Sequence, residues 1–202
     1  MDKSRIRKVA MHRFIKSNSY LRSKKISQQL YNLVKFYGAK KILLYIPLKN
    51  EVNVKGLIYK LKRENCKVFV PFMQDISFKM VKYSLPLRKK KFNIYEPLNK
   101  NKTKDKVDMA IVPIIGIDTD FKRVGFGKGM YDRFFDSLNY KPKIIFTQLD
   151  LVAVNCVVTN HFDIKADTLV TYKMVCDRRR NVRNISRIRC VSSSRLLNCK
   201  KN

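Results

Sequence analysis

Between Arg123 and Asp132 the chain carries residues whose types and spacing suit phosphate binding. Gly125, Gly127 and Gly129 alternate with Phe126 and Lys128. Glycines at this spacing let the backbone take up positive φ and approach a ligand without Cβ atoms in the way. Arg123 and Lys128 add fixed positive charge, and successive backbone N–H groups ahead of a helix form a concavity for phosphate oxygens. Asp132 falls in the first turn of the helix predicted after the loop, where Met130, Phe134 and Leu138 recur four residues apart. A carboxylate there suits the helix dipole and can hold a divalent cation beside bound phosphates. The glycine spacing is neither that of a P-loop nor that of a dinucleotide fingerprint. Taken alone, the loop is a phosphate cradle or a flexible surface turn.

The elements that must position this loop are legible from periodicity. A first helix is predicted over 3–16, with Ile6, Val9, Ala10 and Phe14 as its apolar stripe and Lys3 and Arg7 one turn apart on another face. A second is predicted over 23–37, with Ile26, Leu30, Leu33, Val34 and Tyr37 on one side and Gly38 as its stop. The continuous apolar run 42–46, ending at Pro47, reads as a strand buried on both faces. Asn53 can cap a helix carrying Val54, Leu57, Ile58 and Leu61, and residues 68–70 form the next strand, ending at Pro71. Strand, helix, strand in this order implies a parallel crossover. Residues 77–83, 109–112 and 143–146 read as further strands, and the basic run Arg88 to Lys91 as a solvated loop. The fold class expected is therefore α/β: a three-layer open sheet, mostly parallel, with helices on both faces. The strand-then-Pro boundaries at 47, 71 and 113 put three loops, including the glycine loop, at the carboxyl edge, where open sheets bind ligands. Glu51 lies on that edge, where a carboxylate can accept hydrogen bonds from an amino-pyrimidine ring or serve as an ordinary exposed Glu before a helix.

The wording of the glycine segment is more specific than its chemistry. Residues 112–118, VPIIGID, and 123–134, RVGFGKGMYDRF, resemble the signature of the 5-formyltetrahydrofolate cyclo-ligase family, also called methenyltetrahydrofolate synthetase. That signature is a Val-Pro-Gly strand end, an Asp, then Arg-Leu-Gly-x-Gly-x-Gly-Tyr-Tyr-Asp. Here Ile114 stands for the Gly after Pro, Val124 for the Leu and Met130 for the first Tyr. Lys3-Ser4-Arg5-Ile6-Arg7 is similar to the family's opening Lys-x-x-x-Arg, and Glu51-Val52-Asn53-Val54 to its Glu-Val/Ile-x-Thr, with Val54 for Thr. Asn93-Ile94-Tyr95-Glu96-Pro97 resembles Gly-Ile-x-Glu-Pro, and 160–171 resembles a late acidic motif.

The resemblance, which spans residues 3–171, implies ATP- and magnesium-dependent cyclisation of 5-formyltetrahydrofolate to 5,10-methenyltetrahydrofolate, through a phosphorylated formyl (imidate) intermediate, with release of ADP and phosphate. It assigns ATP binding to Lys3, Ser4, Arg5, Ile6 and Arg7, and to Arg123, Val124, Gly125, Phe126, Gly127, Lys128, Gly129, Met130 and Tyr131. Ile46, Glu51, Phe126, Gly127, Lys128, Gly129 and Met130 fall on the folate side. Lys128 and Arg123 are the catalytic charges. Asp132 and Asp167 are matched to magnesium, and Asp163 to a second acidic position. Asp167 would lie at the wrong end of a parallel final strand, so that strand is expected to be antiparallel, or its loop to reach across the site.

Composition bounds the rest. The 202 residues, 45% hydrophobic, suit one domain with a sizeable core, placed at 1–176. No run of about eighteen apolar residues is present, and the polar N-terminus argues against a secretory signal. Five cysteines without metal-ligand spacing read as reduced thiols in a cytoplasmic, monomeric protein. The net charge of +30 is spread along the chain, favours anionic small ligands by steering, and gives non-specific affinity for nucleic acid. From 177 to 202 the Arg- and Ser-rich sequence reads as a basic, disordered tail outside the resemblance. The alternatives to a cyclo-ligase are a basic RNA-binding protein and a relative that binds ATP but is catalytically impaired.

Overall fold

The apolar run 109–113 forms the middle of the molecule because both of its faces are covered. In a computed structural model, which describes residues 2–15, 19–90, 94–98, 101, 103–178 and 196–197, the elements follow in chain order. Helices α1 (Lys3–Ile15) and α2 (Ser19–Phe36) precede strand β1 (Lys41–Leu43), helix α3 (Lys55–Arg63), and strands β2 (Lys67–Met73) and β3 (Phe78–Lys82). Strands β4 (Leu87–Lys89), β5 (Tyr95–Pro97), β6 (Met109–Pro113), β7 (Gly116–Ile117) and β8 (Arg123–Val124) lead to helix α4 (Met130–Asp136). The chain continues through β9 (Lys143–Thr147), β10 (Ala153–Val154), β11 (Thr168–Val170), β12 (Val175–Asp177) and β13 (Leu196–Leu197).

The described strands form a seven-stranded sheet in the order β12-β11-β9-β6-β1-β2-β3. Its five inner strands are parallel, and β3 and β12 close the two edges antiparallel. Alternation along the strands assigns the two faces. Ile42, Met109, Ile111 and Ile145 pack with Ile6, Ile26, Leu30, Leu57 and Leu61 of α1, α2 and α3. Leu43, Ala110, Val112 and Phe146 pack with Phe134 of α4, Phe78 and the segments around Ile117 and Ile164. The three-layer, mostly parallel α/β architecture expected from the sequence is the one present.

Differences are local and have local causes. Helix α2 begins four residues before the expected Ser23, because Tyr20 and Leu21 are exposed and lie outside the apolar stripe that signals the helix. It ends as expected. Gly38 sits at φ +61, with its N–H on the Lys35 carbonyl and the Ala39 N–H on that of Val34, a Schellman stop. Helix α3 is capped at Val54, but the Asn53 side chain still accepts the Lys55 N–H at 3.1 Å. Pro71 does not end its strand. The Phe69 carbonyl faces β1, accepting Leu44 N–H, so Pro71, two residues on, turns its missing donor to the same side, beyond the last rung at Leu43. Arg88 and Lys89 belong to β4, paired with Glu96 and Tyr95 of β5 rather than lying in a free loop. β12 carries the sheet past the expected boundary at 176, and β13 pairs in parallel with β10; residues 179–195 and 198–202 of the expected tail lie outside the described residues. Cys66 and Cys176 stay reduced, but Cys156 is disulfide-bonded, against the expectation of five reduced cysteines.

A small second sheet carries the glycine loop. β7 and β8 pair antiparallel, and their turn is organised by the buried Asp118. One carboxylate oxygen of Asp118 accepts the N–H groups of Asp120 and Lys122, and the other accepts the Thr159 hydroxyl and N–H. Helix α1 lies against this hairpin. Ile6 is fully buried, and a Cβ on Gly116 would stand 2.9 Å from its Cγ2. The backbone contact therefore needs Gly116, and the helix needs Ile6. Ile6→Ala is expected to cost about 2–5 kcal/mol of stability, measured by urea unfolding; a loss below 0.5 kcal/mol would mean that α1 is not docked through this residue.

Candidate functional site

The glycine loop is shaped by arginines on three sides. Gly127 and Gly129 hold φ of +106° and +60°, the left-handed region that glycine supplies without strain. The Arg7 Nε donates to the Gly125 carbonyl at 2.8 Å, tying α1 to the loop. The Arg133 Nη2 donates to the Lys128 carbonyl at 2.5 Å and its Nε to that of Ile76 at 2.6 Å, tying the loop to the turn between β2 and β3. A Cβ on Gly125 would meet the Arg123 guanidinium at 3.1 Å, so the backbone lies directly over that side chain.

Arg123 and Asp132 form a buried, two-point ion pair. Nε reaches Oδ1 at 3.1 Å and Nη2 reaches Oδ2 at 2.9 Å, with 5% and 9% of the two residues exposed. Oδ1 also accepts the Ile164 N–H at 3.1 Å. Burial raises the Asp132 pKa, but the Arg123 hydrogen bonds and charge outweigh it and hold the carboxyl below the ordinary carboxylate range. The sequence reading gave the two residues separate ligands, phosphate and magnesium. In the fold each is the other's counter-ion, because a charge buried beside the loop needs a partner.

Around this pair opens a cavity of about 490 Å³. Its walls carry Lys3, Arg7, Arg123, Lys128 and Arg133 against Asp132, Asp136 and Asp163, with Gly125, Gly127, Gly129 and Phe162. The excess of cations suits a polyanion. Of the opening pentad only Lys3 and Arg7 reach the cavity. Ser4 and Arg5 face outward and Ile6 enters the core, as helical spacing requires. Val124 is likewise core, and Phe126 is exposed on the loop. Lys3 Nζ meets Asp163 Oδ2 at 2.5 Å, and the same oxygen accepts the Asn160 N–H at 2.7 Å. Arg133, Asp136 and Phe162 had no sequence signal beyond their closeness to the glycine and acidic motifs.

Glu51 joins the site from the segment that follows β1. Its Oε2 accepts the Leu48 N–H at 2.9 Å. Burial pushes its pKa up to about 7, against the opposing effect of that hydrogen bond. Its charge in turn helps burial raise the hydroxyl pKa values of Tyr45 and Tyr131. Tyr131 is thus close enough to feel both the Glu51 carboxylate and the Arg123 guanidinium, the latter standing 5.0 Å from its ring. Met130 and Tyr131 pack against one core cluster, and Ile46 against the other. Two sequence motifs 70 or more positions apart therefore meet at one residue of α4.

A model of the 5-formyltetrahydrofolate cyclo-ligase family matches residues 2–172. The chain belongs to that family. It is 27% identical over 148 residues to a 5-formyltetrahydrofolate cyclo-ligase of Haemophilus influenzae, covering 69% of this chain and 79% of the relative. With one from Mycoplasma pneumoniae it shares 28% identity over 151 residues, 71% of this chain and 84% of that one. The fold superposes on the solution structure of Aquifex aeolicus 5,10-methenyltetrahydrofolate synthetase with a TM-score of 0.75 and 29% identity, covering 89% and 94% of the two chains. A Mycoplasma pneumoniae synthetase structure gives 0.64 at 23% identity, covering 84% and 98%, a likeness of fold.

In this cyclo-ligase fold the carboxylates divide differently from the sequence expectation. β11 runs parallel to β9, so Asp167 sits at the amino edge, where its Oδ2 accepts the Ile144 N–H at 3.0 Å and its Oδ1 faces Arg178. It is absent from the cavity wall, and Asp163 stands there instead. Among the described residues no three His, Cys, Asp or Glu side chains converge as a metal cage. Magnesium commonly takes only one or two carboxylates and completes its shell with phosphate and water, a demand that Asp132 and Asp163 fit.

Glu51 supplies a pH signature. An unfolded glutamate ionises near 4.3, whereas the folded one does so at about 7. Between these values the unfolded chain releases a proton that the folded chain keeps, so stability falls as pH rises, by roughly 4 kcal/mol in all. Asp132 acts with the opposite sign, adding stability that is lost as pH falls through its lowered value. Urea midpoints of the wild type and Glu51→Gln from pH 4.5 to 8 should diverge, the variant being the flatter. Parallel curves would place Glu51 in solvent.

Proposed function

We propose that this chain cyclises 5-formyltetrahydrofolate to 5,10-methenyltetrahydrofolate with ATP and magnesium, releasing ADP and phosphate. The observation that carries the reading is the junction at Tyr131 of a cation-lined glycine loop with a half-buried carboxylate, Glu51, in a chain of the cyclo-ligase family. Lys3, Arg7 and Lys128 hold the triphosphate. Glu51, ionised above about pH 7, accepts hydrogen bonds from the amino-pyrimidine of the folate, beside Ile46, Met130 and Tyr131. Asp132 and Asp163 hold magnesium, which neutralises phosphate charge when bound.

The formyl oxygen attacks the γ-phosphorus and displaces ADP, forming an imidate phosphate. N10 then attacks the formyl carbon and gives up its proton, and phosphate leaves with the former formyl oxygen. Lys128 follows the charge of the moving phosphoryl group from an exposed position on the glycine loop, while Arg123, locked on Asp132, holds the loop still beneath it. No nucleophilic side chain is required, since positioning and charge neutralisation supply the rate enhancement.

Absorbance in the methenyl-folate band should rise on mixing purified protein with 5-formyltetrahydrofolate, ATP and magnesium, and only with all three. Lys128→Ala is expected to slow that rise about 100- to 1,000-fold while shifting stability by less than about 0.5 kcal/mol. Full activity in this variant would remove Lys128 from the chemistry, and no rise with folded wild-type protein would overturn the reaction.

A further inference from the structure

Among the residues that line the cavity, one aromatic side chain stands with the charges: Phe162. Its neighbours hold it in place at the rim. The Asp163 N–H donates to the Asn160 carbonyl at 3.2 Å, and the Asp163 carboxylate accepts the Asn160 N–H and Lys3 Nζ. Lys122 Nζ anchors the same turn through the Asn160 carbonyl at 2.8 Å. The His161 ring stands edge-on to the phenyl at 5.2 Å and 78°. Phe162 nevertheless leaves 55% of its surface exposed. Phe126, on the glycine loop, is 46% exposed but does not line the cavity.

An aromatic ring on a turn tied at both ends, beside cations that suit a triphosphate, fits a ligand with charge at one end and a π-face at the other. Phe162 lines the cavity together with Lys3 and Asp163, whereas Glu51 and Tyr131 are not among its lining residues. We propose that Phe162 is the platform on which the purine of the nucleotide stacks, so that the α1 cations take the phosphates and the 160–163 turn takes the base. This inference rests on the nucleotide-dependent reading above and adds the residue that distinguishes a nucleotide from bare polyphosphate. The recognition is by stacking, so it accepts either purine and depends on the ring rather than on a hydrogen-bonding group.

Binding of ATP and of inorganic tripolyphosphate, each with magnesium, is measured by calorimetry on the full chain. Phe162→Ala should weaken ATP about tenfold and leave tripolyphosphate unchanged, and Phe162→Tyr should restore ATP. Equal losses for both ligands, or no loss for either, overturn the proposal. The chain contains no tryptophan, so Phe162→Trp places a single tryptophan, excited selectively over the tyrosines at the red edge of its absorption, at the site. ATP should quench it and tripolyphosphate should not; an unchanged emission with bound ATP overturns the stacking even if the alanine variant fails to fold. The two readings separate cleanly. A wild-type chain that binds ATP through Phe162 without cyclising the folate defeats the proposed reaction alone, and full cyclisation with an unaltered KM for ATP in Phe162→Ala defeats this inference alone.

Discussion

The ion pair between Arg123 and Asp132 holds the parts of the site in register. Arg123 opens β8 and Asp132 lies in the first turn of α4, so their two hydrogen bonds close the glycine loop as a clasp closes a strap. The same carboxylate takes the Ile164 N–H, fixing the acidic turn to the loop. A buried pair of this kind adds little net stability over an apolar packing, yet losing one partner leaves an uncompensated charge and costs several kcal/mol. Its value is therefore geometric. The loop cannot shift without separating two charges in a dry environment.

Helix α1 links fold and site in a different way. One face, with Ile6, Ala10 and Phe14, enters the core, while Lys3 and Arg7 on another face reach the cavity. Arg7 grips the Gly125 carbonyl, and Lys3 grips Asp163. Docking of the helix through Ile6 against Gly116 thus sets where two of the site's positive charges stand. The Lys3–Asp163 bond also keeps a cation and an anion of the cavity wall together.

The overall charge of +30 has a local expression here. Five basic side chains and three acidic ones line the same cavity, an imbalance that attracts phosphates without a dedicated helix terminus, since α4 is only seven residues long. Across Tyr131 the environment reverses, and burial lifts Glu51 towards neutrality. A charged half and a dry half side by side suit a substrate pair of which one member is a polyphosphate and the other a fused ring.

Periodicity and punctuation determined much of this by themselves. The alternation of Met109, Ala110, Ile111 and Val112 between two cores, the stop at Gly38 and the glycine loop between strand and helix are consequences of local sterics and burial, and local rules read them correctly. The meeting of Glu51 with Tyr131, the pairing of Arg123 with Asp132 and the exchange of Asp163 for Asp167 were decided by tertiary structure. Each depends on strand order and direction. β11 proved parallel to β9, so four residues along one segment separate the cavity from the opposite edge of the sheet. A sequence states which charges exist; only the packed chain decides which of them are close enough, and dry enough, to neutralise one another.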